Sequence, residues 1–436
     1  MTPNNTHFGT LRHSRIMAVG AAVAALTLAL SGCGSGSGSS DATSSAISGS
    51  DASDKQVNEF VAAGMFPSTG SMAYIGPSNV AVMKLAEQEI NAAGGVLGNN
   101  IKTVTADTSD SDHADQNAAA AQSVLAQNPS VVVGPPSSAV VKNSYKSVVA
   151  SGVPMISNGA TSTAFSGLDP MFFRTIAPDT VQGAVVGQLI AQDGVKNLAI
   201  AVFNEEYGTS LRKVVVDTVK DAGVNVVYGE TEAFDPTETN FASIATAIKA
   251  SDPDAVLVIA FDQTTPLVKA LKTAGVDTTK LYMTDGNTVD HSDDFEAGLI
   301  EGSQGTIPGA NPSDEFRAKL KEIDSSLVDF TYAAETYDAV MLAALAAQKG
   351  GSADGKTVAA NLPSVSGADG GEECTTFAAC VALLKDGKDI TYVGQSGVGA
   401  FNDNNDPSTA VIGIYKYDSS NKASFDHAQE GAVPTE

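Results

Sequence analysis

A chain of 436 residues exceeds what one hydrophobic core organises, so two lobes are the default expectation, and 43% hydrophobic with 17% charged residues excludes a fibre or a chain too polar to fold. Its 25 basic and 50 acidic residues leave a formal charge of −25, a field that repels phosphate backbones and anionic lipid headgroups. Nucleic acid is therefore excluded as an expected partner.

The N-terminal segment reads as an address. "LRHSR" supplies Arg12 and Arg15, Ile16 to Leu30 runs almost wholly apolar, and "LALSGC" ends at Cys33, the arrangement of a secretory signal. The apolar run of 15 residues is shorter than the ~20 that cross a bilayer as a helix. Leu30-Ser31-Gly32-Cys33 resembles the bacterial lipobox, which implies a signal peptide over residues 1–32 and a lipid on the Cys33 thiol, anchoring the chain outside the cytoplasm. An unlipidated signal with an incidental cysteine is the alternative. Residues 33–56, containing "GSGSGSSDATSSAISGSD", read as a flexible tether, because Gly and Ser bury too little surface to fold.

From about Glu59 apolar runs alternate with amphipathic stretches. The predicted strands are "FVAAGMF", "IKTVTA", "SVVVG", "VPMIS", "LAIAVF", "VNVVYG", "AVLVIA" and "LYMTD". Between the first two lies "SNVAVMKLAEQEINAAGG", where Val80, Met83, Ala86 or Glu87 and Ile90 keep the helical period and Gly94 supplies a stop. Strand and helix in this order predict an α/β fold of mostly parallel sheets flanked by helices, whose ligands bind beyond the carboxyl ends of the strands.

Several loops at those ends are small and polar: "PSTGSMAYIG", "PPSSAVV", "NGATS", "NEEYGTS" and "TDGN". Ser138 opens a helix with Val141, Tyr145 and Val148 as its inner stripe, and free N–H groups at such a start suit an anion. The stretch "ISNGATST", Ile156 to Thr163, has no large side chain after its first residue and ends in hydroxyls, which suits a catalytic loop, a tight turn with no further role, or a surface that grips a small charged molecule through backbone and hydroxyl groups.

Cys374 and Cys380, in "EECTTFAAC", are most simply a disulfide outside the cytoplasm. His113, His291 and His427 have no ligand spacing, so neither a metal nor a cofactor is expected. The acidic runs "DTSDSDHAD" (Asp107 to Asp115) and "DNNDP" (Asp403 to Pro407) read as solvated turns and helix starts. An EF-hand loop needs Gly at its sixth position, where Asp403 counts to Ser408. Ser138, Asp285 and His291 follow the chain order of an α/β-hydrolase triad, but no Gly-x-Ser-x-Gly elbow surrounds Ser138, so an enzyme is not expected.

Taken in order, "PSTGSMAYIGPSNVAVMKLAEQEINAAGGVLG", "VVGPPSSA", "GVPMISNGATS", "FFRTIAPD", "FNEEYGTS", "LYMTDGN", "AAETYDAV" and "GKDITYVGQSGVGAFNDNNDP" resemble the type 1 periplasmic solute-binding proteins. The resemblance is to the leucine/isoleucine/valine-binding branch that serves ABC importers, and it runs from about residue 59 to 417. It implies a two-lobed clamshell with three hinge crossings: residues 57–179 with 309–395 in one lobe, 180–308 with 396–430 in the other. It implies capture of a small amino acid or amide-type solute, handed to a permease with its ATPase subunits. A sensor built on the same clamshell is the alternative, with a serine hydrolase behind it.

The resemblance also implies roles. Ser138 would hold the ligand carboxylate. Gly159 and Thr161 would serve the ammonium through carbonyl and hydroxyl, with the Thr161 N–H donating to the carboxylate. Asp285 stands where relatives carry a glutamate for the ammonium; the alternative is a turn cap before Gly286. Tyr207, Phe261 and Tyr332 match pocket positions, with Tyr74 or Ile75 in the first-lobe loop.

Overall fold

The computed structural model describes residues 57–434. Cys33, the expected signal peptide and the expected tether lie outside the described residues. A first sheet holds β1 (Val61–Phe66), β2 (Lys102–Asp107), β3 (Val131–Val133), β4 (Met155–Ser157) and β5 (Phe172–Arg174) in the order β2-β1-β3-β4-β5, all parallel. Helices α1 (Gly76–Ala92), α2 (Ala114–Leu125) and α3 (Ser138–Ala150) connect its first four strands.

Helix α4 (Asp179–Gln192) leads into the second sheet. Its strands β6 (Asn197–Val202), β7 (Asn225–Tyr228), β8 (Ala255–Ile259), β9 (Leu281–Met283) and β10 (Gln304–Pro308) alternate with α5 (Glu206–Asp221), α6 (Ala242–Ala250) and α7 (Thr264–Ala274). The chain then returns to the first sheet's core with α8 (Asp314–Ile323), α9 (Ala333–Gly350), α10 (Gly355–Ser366), β11 (Glu372–Cys374), α11 (Phe377–Lys385) and β12 (Ile390–Tyr392). Strands β13 (Thr409–Tyr417) and β14 (Ala423–Ala432) complete the second sheet antiparallel, in the order β14-β13-β10-β9-β8-β6-β7. The chain thus passes between the sheets after β5, after β10 and after β12.

The burial of each strand follows its place. β1, β3 and β8 are buried at every residue, as central parallel strands covered on both faces must be, and their sequences are continuous apolar runs. β2, at an edge, keeps its Thr and Lys residues partly open to water. All eight predicted strands are present. β5, β11 and β12 escaped the periodicity because they are three residues long, and β14 because it carries exposed polar residues along an outer edge; β10 and β13, longer and largely buried, were not singled out. Cys374 and Cys380 are joined as a disulfide with Cα atoms 5.3 Å apart, tying β11 to α11.

The acidic runs are more structural than solvated turns. Asp107 accepts from the backbone N–H groups of Ser68, Thr69 and Ser109, and Asp110 from Ser71 at 3.0 Å, so both shape the loop after β1. Asp406 is 1% exposed and pairs with Arg174, itself fully buried. A buried carboxylate costs several kcal/mol unless paired, and Arg174 is that pair. Asp115 does sit in the first turn of α2, where its charge favours the helix.

Candidate functional site

Strand order reverses beside β1 in the first sheet and beside β6 in the second, so the loops after β1, β3, β4, β6, β8 and β9 surround the expected ligand crevice. After β3 the chain must turn at once. Gly134 has φ +88°, and a Cβ there would meet the Met65 carbonyl oxygen at 2.4 Å, so the turn requires glycine. Ser137 then caps α3, accepting from the Val140 N–H, and Ser138 becomes the first helical residue, 1% exposed. Its Oγ accepts from the Ser162 N–H at 3.3 Å. Ser157 Oγ donates to the Pro135 carbonyl at 2.7 Å and accepts from Ala160 N–H at 3.0 Å, joining the loops after β3 and β4.

The loop containing Gly159 and Thr161 is fixed from behind by a cation. Arg174 Nη1 donates to the carbonyls of Ala160 (3.2 Å) and Ser162 (2.8 Å), while Asp406 takes its Nε at 2.5 Å and its Nη2 at 3.0 Å. A planar guanidinium with two forks satisfied in this way sets the carbonyl directions of the loop. Thr161 is fully buried, yet its Oγ1 has no hydrogen-bond partner. Gly159 is small for a visible reason: a Cβ on it would lie 2.7 Å from Pro136 and 2.8 Å from the Tyr332 ring.

Facing this loop, Asp285 follows β9 and is 2% exposed. Its Oδ1 accepts from the Tyr207 hydroxyl at 2.6 Å and from Gln182 Nε2 at 2.8 Å, and its Oδ2 from the Tyr332 hydroxyl. Burial raises its pKa, partly offset by these three donors. The Tyr207 ring stacks on Phe261 with centroids 5.7 Å apart.

Three residues that the sequence did not flag belong to the same neighbourhood. Asp179, first in α4 and fully buried, has neither carboxyl oxygen hydrogen-bonded. Burial pushes its pKa up to about 7; the hydroxyls of Ser210 and Thr161, close by but outside hydrogen-bond geometry, offset part of this, and the Asp285 charge adds to it. Gln182, one turn on, bonds Asp285 through its amide nitrogen and leaves Oε1 unpartnered. Glu205 caps α5 through the Tyr207 N–H at 2.6 Å and reaches the Ala139 N–H on α3 at 3.1 Å; burial pushes it up to about 7. Among the described residues no lysine or arginine lies within ion-pair distance of Asp179, Glu205 or Asp285.

Tyr332 links the two sides, its ring against Gly159 and its hydroxyl on Asp285. The Tyr74 hydroxyl donates to the Gly286 carbonyl at 3.2 Å, whereas Ile75 is buried beneath it. Tyr74, Phe261 and Tyr332 also line a cavity of about 740 Å³. Ser138, Gly159, Thr161 and Asp285 lie outside its lining, so the site has a packed polar centre and an open side chamber. The Ser138 hydroxyl is occupied by Ser162 N–H, and the His291 nitrogens lie 2.9 Å from Asp294 and 3.1 Å from the Asn287 carbonyl. No nucleophile–base pair forms. The arrangement offers buried acceptors for a cation, and hydroxyls with a helix start for an anion.

Comparison with known proteins agrees with this architecture. The sequence profile described as "Periplasmic binding protein" matches residues 62–382. A leucine-, isoleucine-, valine-, threonine- and alanine-binding protein of Pseudomonas aeruginosa is 29% identical over 311 residues, 68% of this chain and 80% of that protein. Among solved structures, the branched-chain amino acid substrate-binding protein of Streptococcus pneumoniae in complex with isoleucine superposes with a TM-score of 0.69 at 20% identity, over 86% of this chain and 99% of that one. A solute-binding protein of R. palustris in complex with 4-hydroxybenzoate gives 0.68 at 18% identity, over 86% and 98%. At such identities the structures speak for the two-lobed fold alone.

Proposed function

The chain belongs to the periplasmic binding protein family, and from that premise we propose that it captures a small amino acid or amide-type solute between its lobes for an ABC permease and its ATPase subunits. The single observation that carries this reading is Asp285. A carboxylate 2% exposed, held by three neutral donors and no cation, leaves its charge uncompensated inside the protein. A ligand ammonium would complete it. Ser138, at the start of α3, and the Thr161 N–H would then receive the carboxylate of a zwitterion, with Thr161 Oγ1 and the Gly159 carbonyl left for the ammonium. The leucine, isoleucine and valine binding named for the Pseudomonas relative is consistent with such a pair of clamps.

The lobes proposed are residues 57–179 with 309–395 and residues 180–308 with 396–430. In support, Val181 and Val185 of α4 pack against Ile412 and Ile414 of the second sheet. Closure follows from differential affinity: a ligand touching both lobes favours only the state in which both touch it. A lipid on Cys33 would keep the protein at the outer face of the cell membrane; mass spectrometry of the mature N-terminus tests that. The functional reading is tested by a thermal-shift screen of the chain from residue 57 against amino acids and short amides. A binder present at 100 times its Kd adds about 2.7 kcal/mol to the folded state. A screen in which no amino acid or amide raises the midpoint overturns the proposal.

A further inference from the structure

The chamber beside Tyr74 and Tyr332 is acidic as well as aromatic. Its volume is about 740 Å³ and it opens to solvent, so the chemistry of its lining bears on what it takes more than its size does. Asp262, Asp293, Asp329 and Glu335 line it, and among the described residues none of them has a lysine or arginine within ion-pair distance.

Of the other charges there, two are paired. Lys422 pairs with Asp290 at 3.3 Å, and His291 lies 2.9 Å from Asp294. Arg317 donates to Asn311 Oδ1 and lies over the Phe330 ring, 5.7 Å from its centroid. Arg317 leaves its Nε unpartnered and its charge acts on Asp329, so one guanidinium outside ion-pair distance faces four acids, of which Asp262 and Asp293 are exposed. Glu335 is 3% exposed and its Oε1 has no hydrogen-bond partner. Asp329 is half-buried and accepts from Thr331 N–H at 2.8 Å.

The chamber also adjoins the polar centre. Burial raises the pKa of the Tyr74 phenol, and the nearby charges of Asp329, Asp285 and Asp262 add to it. The faces of Tyr74, Phe261, Phe330 and Tyr332 give an alkyl stem something to lie on, and aromatic faces attract a cation at its end.

We propose that this chamber is a distal subsite for a second positive charge, so that the captured solute is a basic α-amino acid whose side-chain cation sits against Asp329 and Asp262. The inference rests on the reading that Asp285 holds the α-ammonium. Lysine and norleucine differ in the distal ammonium and little else, which makes them the matched probes. Calorimetric titration of the full-length protein should give lysine a Kd at least about tenfold below that of norleucine. The Asp262→Asn/Asp329→Asn double variant should bring the two to near equality while leaving norleucine unchanged. Norleucine binding as tightly as lysine, with Asp285→Asn abolishing both, overturns the distal subsite and leaves the ammonium reading standing. Absence of binding with lysine overturns the distal subsite, and absence of a response with every α-amino acid in the thermal-shift screen overturns the ammonium reading as well.

Discussion

Replacing Asp179 with asparagine should stabilise the protein at pH 8 and change it little below about pH 4, with an intermediate gain at pH 5. Burial pushes this carboxyl from an ordinary value of 3.8 up to about 7, roughly three units, and at 1.36 kcal/mol per unit the ceiling is about 4 kcal/mol. The sign follows from proton binding. The folded chain keeps a proton here that the unfolded chain releases between about pH 4 and pH 7, so this contribution is full below about pH 4 and is lost as pH rises through 7. Glu205, pushed from 4.5 up to about 7 by burial, acts in the same direction and steepens the wild-type decline. Neither Asp179 oxygen has a hydrogen bond of good geometry, so the isosteric amide removes chiefly the cost of a buried charge, less what the nearby Ser210 and Thr161 hydroxyls offset. After relaxation around the charge, a gain of about 2 kcal/mol at pH 8 is expected. Urea denaturation of both proteins at pH 4, 5, 6, 7 and 8 measures it. Parallel stability curves, or a variant weaker at pH 8, would refute the reasoning.

Other changes should act elsewhere. Arg174→Met leaves Asp406 buried without its partner and should cost about 3–5 kcal/mol in the same denaturation assay, with Arg174→Lys failing to restore it because an ammonium cannot serve both forks. Replacing Cys374 and Cys380 together by serine opens a loop with a sequence separation of 6, so stability should fall by about 2 kcal/mol while solute affinity holds, since β11 and α11 lie away from the cleft. Gly134→Ala forces a Cβ onto the Met65 carbonyl at a positive φ; it should cost at least about 1–3 kcal/mol and misplace Ser138, read as a lower midpoint together with weaker solute binding.

How much of this was legible beforehand depends on the kind of signal. Buried parallel strands announce themselves as apolar runs, and β1, β3, β6 and β8 were found for that reason. Polar loops after the predicted strands followed from those runs, Ser138 after β3 among them, while the roles given to Ser138, Thr161 and Asp285 came from the resemblance to the solute-binding proteins. Arg174, Asp179, Glu205 and Asp406 could not, because a charged residue reads as a surface residue until its surroundings are known. Arg174 and Asp406 meet across 232 positions, a separation that no local period encodes. The smallness of Gly159 was legible too, but the ring of Tyr332 that requires it lies on a distant helix start.

Calorimetric titration of amino acids into wild-type and Asp285→Asn protein most directly addresses the buried carboxylate as the ammonium's counter-charge. Asparagine keeps the size and its amide oxygen can still accept from Tyr207 and Gln182, while its amide nitrogen obliges the Tyr332 hydroxyl to turn and accept, so the change is chiefly the loss of charge. Removing one partner of a desolvated ion pair costs about 3–5 kcal/mol, and the account predicts at least about a hundredfold weaker binding. An unchanged Kd for any α-amino acid that the wild type binds would contradict it.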